Sequence, residues 1–328
     1  MNRSATPIAV SYFGKIPSRG DFVKGSENPA LVKVLDDWLA RAVDLLSANA
    51  RWKPSYDAVA PLLFAFVGPS RKNAIAGHVL ASGDRSGRRF PFMMMSTMDV
   101  SATADFVPDA PLLLNRLWKR LESLSAAVVG AADAAAPLQA ASSHVIELDL
   151  GSSAYEAAFA DFLDLQTIGT LDALLAQAGF AGSVRQVLMA LGMLLQPVLS
   201  SSSSRLEKSL VLPLPPDPMY RNLVAAFWMH LITPFLARAD FELALFITHL
   251  EQRPVLILGF SGASAETLQA IMDPQERPER HITFDRLDWV EQQVDTDYAI
   301  KKLSTGLAQA DLSLKSALAA LHAGFIGS

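Results

Sequence analysis

The sequence predicts an α/β fold in which a mixed β-sheet carries helices on both faces. Three observations lead there. Apolar segments of strand length at 62–67, 74–81, 90–95, 241–248 and 254–259 are bounded by Gly, Pro, Ser, Asn and Asp clusters. Between them run longer segments whose apolar residues recur every three or four positions, the spacing of helices with one buried face. Short polar turns join neighbouring strands, which favours antiparallel pairs and so a mixed sheet over a purely parallel one.

Residues 8–13 read as the first strand, entering a loop at 14–21. Asn28 is a natural N-cap and Pro29 suits a first helical position. Leu31, Val34, Leu35, Trp38, Leu39, Ala42, Val43 and Leu46 then mark a helix. The strands at 74–81 and 90–95 flank a turn at 82–88 with two glycines, and Pro91 favours an edge or bulged position. From Pro111 the spacing of Leu114, Leu117, Trp118, Leu121 and Leu124 is helical, and Trp38 and Trp118 both belong on buried helix faces. The Ala-rich 130–143 reads as a weakly specified connection. Helices are expected at 153–164, 170–178, 183–199 and 219–238, with a mobile loop at the five serines of 200–204 and a short strand at 210–214. The strands at 241–248 and 254–259 lead to a helix capped by Ser264. The tail holds a short strand at 281–285 and helices near 287–294 and 311–325.

Composition narrows the function classes. At 51% hydrophobic and 19% charged, the chain can bury a sizeable core, which excludes a disordered protein. It has no cysteine, so disulfides, thiolate metal sites and a Cys nucleophile are excluded. The net charge of −5 argues against chain-wide attraction to nucleic acid or anionic lipid. No export signal or membrane span is visible: the apolar start is too short, and 184–199 carries Arg185, Gln186, Gln196 and Pro197. A cytoplasmic protein is expected.

Four constellations carry candidate chemistry. Gly259-Phe260-Ser261-Gly262-Ala263 approaches a nucleophile elbow, with Ala263 in place of its last glycine, and the helix after it could receive an anion. A plain strand-to-helix turn explains the same residues. The six histidines are scattered, without metal-ligand spacing. Asp285, Asp288, Glu291, Asp295 and Asp297 form an acidic stretch that could hold Mg²⁺ or simply face solvent. Neither a phosphate-loop nor a dinucleotide-binding glycine motif occurs, and no cofactor is expected.

The fourth constellation is a pair of basic loops. Lys15, Arg19 and Lys24 against Asp21 give +2 between 14 and 25. Arg85, Arg88 and Arg89 against Asp84 give +2 between 84 and 89, while the rest of the chain carries −9. Guanidinium groups suit bidentate binding of carboxylate or phosphate on a partner. Pairs such as Arg19–Asp84 or Arg89–Asp21 would instead pin the loops to each other. The two loops are expected side by side as one surface.

These loops also carry a family resemblance. Tyr12-Phe13-Gly14-Lys15-Ile16-Pro17-Ser18-Arg19-Gly20-Asp21-Phe22-Val23 resembles the opening signature of the TagF (ImpM) family, and Asp84-Arg85-Ser86-Gly87-Arg88-Arg89-Phe90-Pro91 its second. Both lie in the first 95 residues; beyond them the resemblance is one of order and pattern. It implies a three-layer α/β sandwich and a cytoplasmic accessory protein of the bacterial type VI secretion system. Such members repress assembly or firing after translation, with a forkhead-associated scaffold protein. Other secretion components are further candidate partners. Some members are fused to a metal-dependent phosphatase, but residues 276–328 are too few for one and show no D-G-x-x-G-type motif.

The resulting expectation is an α/β domain over 1–275 with a C-terminal extension, 276–328, packed on it. The function expected is a non-enzymatic regulator binding the scaffold through Lys15, Arg19, Asp21, Asp84, Arg85, Arg88 and Arg89. The alternative is a hydrolase or phosphate-binding enzyme using Ser261.

Overall fold

Side-chain alternation along nine strands builds two cores, one on each face of a single sheet. The computed structural model describes residues 5–68, 72–100, 103–151, 153–200, 206–237 and 241–327. The serines expected as a mobile loop at 201–204 lie outside them.

The elements begin with β1 (Thr6–Ala9), β2 (Ser11–Gly14), β3 (Val23–Gly25), α1 (Pro29–Ser47), α2 (Trp52–Asp57), β4 (Leu62–Val67), β5 (Asn73–Leu80) and β6 (Phe92–Asp99). There follow α3 (Thr103–Leu113), α4 (Asn115–Gly130), α5 (Ala135–Ser142), β7 (Val145–Leu148), α6 (Ser153–Leu165), α7 (Ile168–Ala176), α8 (Val184–Ser200), β8 (Ser209–Pro213) and α9 (Pro218–Leu236). The last are β9 (Leu243–Leu250), β10 (Arg253–Gly259), α10 (Ala265–Met272), α11 (Arg277–Arg280), β11 (His281–Thr283), α12 (Asp288–Val294), α13 (Tyr298–Leu307) and α14 (Leu314–Phe325).

The main sheet runs β11-β8-β10-β9-β4-β5-β6-β2-β3. Every neighbouring pair is antiparallel except β11 on β8, which makes the sheet mixed as expected. On β4, Leu62 and Phe64 face one core while Ala65 and Val67 face the other; on β9, Ala244 and Phe246 oppose Leu243, Leu245 and Ile247.

The first face is covered by α1, α2 and α10. The Asn28 side chain accepts from the Leu31 N–H and Pro29 opens α1. Leu35, Trp38, Leu39 and Ala42 are buried, whereas Val34, expected on the same stripe, is 59% exposed. Trp38 lies among Phe64, Phe66 and Phe246, and its Nε1 donates to the Ser264 carbonyl at 3.1 Å. The second face takes α3, α4, α8 and α9. Trp118 Nε1 donates to the Phe64 carbonyl at 3.0 Å, so both tryptophans are buried on helix faces as the spacing predicts. Behind these helices α14 packs on α6, α8, α9 and α13. Leu307, Leu314, Leu321 and Phe325 join the core of the second face, and β11 extends the main sheet. None of the described helices is long and apolar enough to cross a membrane.

Several elements depart from the sequence reading. The first strand splits at Val10: β1 pairs with β7 in a separate two-stranded sheet, and only β2 enters the main one. The Ala-rich connection contains α5, and β7 follows it, because Ala141, Ile146 and Leu148 are buried in the second core. Helix α3 begins eight residues before Pro111 and carries both Pro108 and Pro111, which mask it in the sequence. Helices α2 and α13 were not expected. Pro91 sits just before β6, where its missing N–H costs nothing and its carbonyl accepts from the Lys15 N–H.

Candidate functional site: the paired basic loops

Strands β2 and β6 are neighbours, with Gly14 opposite Phe92, so the loop after β2 and the turn before β6 leave the sheet together. Gly14 has φ 134°, and a Cβ there would lie 2.1 Å from the Pro91 carbonyl oxygen. Only glycine permits that approach. The two loops lie side by side, and backbone and side chains stitch them. Arg85 N–H donates to the Arg19 carbonyl at 2.8 Å, the Arg85 guanidinium to the Ser18 carbonyl at 2.5 Å, and Arg88 Nη2 to the Gly20 carbonyl at 2.7 Å.

Asp84 organises the cluster from a buried position. Its Oδ2 accepts from Lys15 Nζ at 2.9 Å and Arg88 Nε at 2.7 Å. Its Oδ1 accepts from the Ser86 hydroxyl at 2.7 Å and from the Ser86 and Arg88 N–H groups at 3.0 Å. The Ser86 hydroxyl foremost, then Lys15 and Arg88, hold the Asp84 carboxyl far below its ordinary range. Lys15 Nζ also lies 5.0 Å from the Phe22 ring centroid. Phe22 stacks on Phe13 at 5.3 Å and meets Phe90 edge-on at 5.0 Å, yet remains 43% exposed.

The remaining predicted residues separate into two sets. Arg89 grips Asp57 bidentately at 2.8 and 2.6 Å, which lowers the Asp57 pKa. Arg19 reaches Asp133 at 3.2 Å. Asp21 is exposed, and its Oδ1 accepts from the Phe22 N–H. The Arg19–Asp84 and Arg89–Asp21 pairs suggested by sequence do not form: Asp84 turns inward to Lys15, and Arg89 reaches the end of α2. Arg85 and Arg88 present exposed side chains at the rim, with Arg88 62% exposed. Sequence reasoning missed Phe22, Ser86, Asp57 and Asp133. An aromatic directly after Gly20-Asp21 was the one available signal, for Phe22.

The other constellations resolve differently. Ser261 is exposed, forms a parallel bridge with Glu242, and precedes α10 by four residues. The N-terminus of α10 is already occupied: Ser264 Oγ accepts from the Thr267 N–H and donates to Glu266, whose charge sits where an anion would. Among the described residues no histidine hydrogen-bonds Ser261. The acidic stretch is dispersed, with Asp285 on Arg253, Glu291 on Arg185 and Gln186, Asp295 on Lys301, and Asp297 capping α13. Among the described residues no cluster of three or more His, Cys, Asp or Glu could hold a metal. His78 and His281 are buried without hydrogen-bond partners, and burial lowers each pKa to about 4.

Residues 11–145 match the family model of the TagF N-terminal domain, described as type VI secretion system-associated. The crystal structure of PA0076 from Pseudomonas aeruginosa PAO1 is similar at 24% identity, covering 46% of this chain and 76% of that one with a TM-score of 0.33. No curated protein matches. Both basic loops fall inside the matched segment, so residues 11–145, which carry them, are similar to the N-terminal domain of the type VI secretion system-associated TagF proteins.

Proposed function

We propose that this chain is a non-enzymatic cytoplasmic regulator that represses the type VI secretion system after translation by binding a forkhead-associated scaffold protein. The observation that best supports the reading is the division of labour within the paired loops. Lys15, Asp84 and Arg89 are spent on internal pairs, while Arg85, Arg88 and Phe22 stay exposed on the scaffold those pairs hold rigid. An exposed aromatic flanked by arginines is the composition of an interface anchor.

The experiment is complementation of a strain lacking this protein, with secretion scored at matched protein abundance. Wild type and Ser261→Ala should both restore repression, whereas Phe22→Ala with Arg85→Glu should not. Repression by the double variant at normal abundance would refute the reading, and loss of repression in Ser261→Ala would favour the enzyme alternative.

A further inference from the structure

We propose that the groove between α3, α4, α6 and α9 binds an extended segment of a partner protein that sets an apolar side chain beside a carboxylate. The groove has a volume of about 400 Å³. Its base is apolar, made by Leu112, which is buried, and Leu223, which is half-buried. Met219 stands at the rim, 72% exposed, a flexible thioether able to fit varied apolar groups. Asn115 and Lys119 lie four residues apart on α4, and Met219, Asn222 and Leu223 share one face of α9. Each helix thus turns a continuous stripe into the groove, and Tyr155 joins them from the first turn of α6. None of the paired-loop residues lines it, and Tyr155, Met219, Asn222 and Leu223 lie beyond the segment that matches the family model.

The lining specifies the occupant. Asn115, Asn222 and Tyr155 are half-buried, yet none of their side chains hydrogen-bonds another described residue. Each carboxamide offers a donor and an acceptor together, the complement of a peptide group. A helix spends its peptide groups internally, whereas an extended segment has them free, so the occupant is extended. The apolar base takes one of its side chains. Lys119 is the one charged residue of the lining, exposed and without an ion pair among the described residues. An ammonium only donates, so its complement is a carboxylate. Arg116, exposed and likewise unpaired among the described residues, lies one turn earlier on the same helix. The acids around the groove are engaged elsewhere. Asp217 caps α9, Glu122 and Asp217 face the charge of Arg221, and Asp109 pairs with His230 at 2.8 Å. Glu156 follows Tyr155 in the chain and so points about 100° away from it around α6.

The test uses the full chain, isotope-labelled at its methionine methyl groups, with the Met219 signal assigned by its loss in Met219→Leu. The probe is a blocked glycine–serine peptide holding one leucine followed by one glutamate. A control peptide has lysine in place of the glutamate, and hexanoate supplies a carboxylate without a peptide. The acidic peptide should shift the Met219 signal to saturation, binding at least about tenfold more tightly than the lysine peptide or hexanoate. Lys119→Glu should weaken the acidic peptide at least about tenfold and make the lysine peptide the tighter ligand, at an unchanged melting temperature. Lys119→Gln, which only removes the charge, should fall between that variant and wild type. Asn222→Leu should weaken the acidic peptide about tenfold and leave hexanoate unaffected. No saturable shift with the acidic peptide, equal binding of both peptides, or acidic-peptide binding that survives Lys119→Glu overturns the inference. Hexanoate binding as tightly as the acidic peptide also overturns it, in favour of a site for small free acids.

Discussion

The Lys15 ammonium and the Asp84 carboxylate, 69 residues apart in the chain, meet at 2.9 Å and join the loop after β2 to the turn before β6. Both side chains are almost wholly withdrawn from solvent. Removing one partner of a buried pair costs more than the pair contributes, because the other charge is left behind. Lys15→Ala should therefore destabilise the protein by about 3 kcal/mol, since Ser86 and Arg88 still serve the carboxylate. Urea denaturation at pH 7 measures it. The same pair sets an acid limit. Asp84 has a lowered pKa, so its stabilisation is complete above the ordinary value of 3.8 and fades as pH falls toward the folded value. Asp84→Asn should flatten the stability profile below that point while lowering stability at neutral pH.

The buried histidines govern a higher pH window. His78 and His281 stay neutral in the fold, with pKa values lowered to about 4 from 6.5. Below pH 6.5 the unfolded chain binds protons that the folded chain does not, so stability falls until about pH 4. Each histidine accounts for about 3 kcal/mol of that fall. His78→Leu should remove its share, read as a smaller difference between denaturation free energies at pH 7 and pH 4. An unchanged difference would mean that His78 is solvated or paired.

The β9–β10 hairpin turns through Glu251 and Gln252, both in the left-handed region at φ 51° and 66°. Two-residue turns of this hand suit right-twisted strands but favour glycine. Gln252→Gly should stabilise the fold by about 1 kcal/mol, detectable in thermal unfolding.

Much of the fold was legible because its signals are local. Asn28-Pro29 marks the start of α1, and 62–67 is β4, residue for residue. What escaped depends on tertiary contact. Val10 separates two strands that serve different sheets, which no periodicity records. Helix α5 and strand β7 exist because the second core accepts Ala141 and Ile146. The site was legible as two charged loops. Its pairing was not, since Asp57 lies on α2, an unexpected helix, and Asp133 lies within the stretch read as a weak connection.

The central claim is that the rim of these loops binds a partner while their base holds the fold. The most direct measurement is capture of purified forkhead-associated scaffold protein by Arg85→Glu, with melting temperature recorded on the same sample. Arg85 is the right residue because its side chain is exposed and its guanidinium meets a backbone carbonyl rather than Asp84. The account predicts at least about a tenfold loss of scaffold binding at an unchanged melting temperature. Undiminished capture, or a binding loss that merely tracks a large drop in melting temperature, would contradict it.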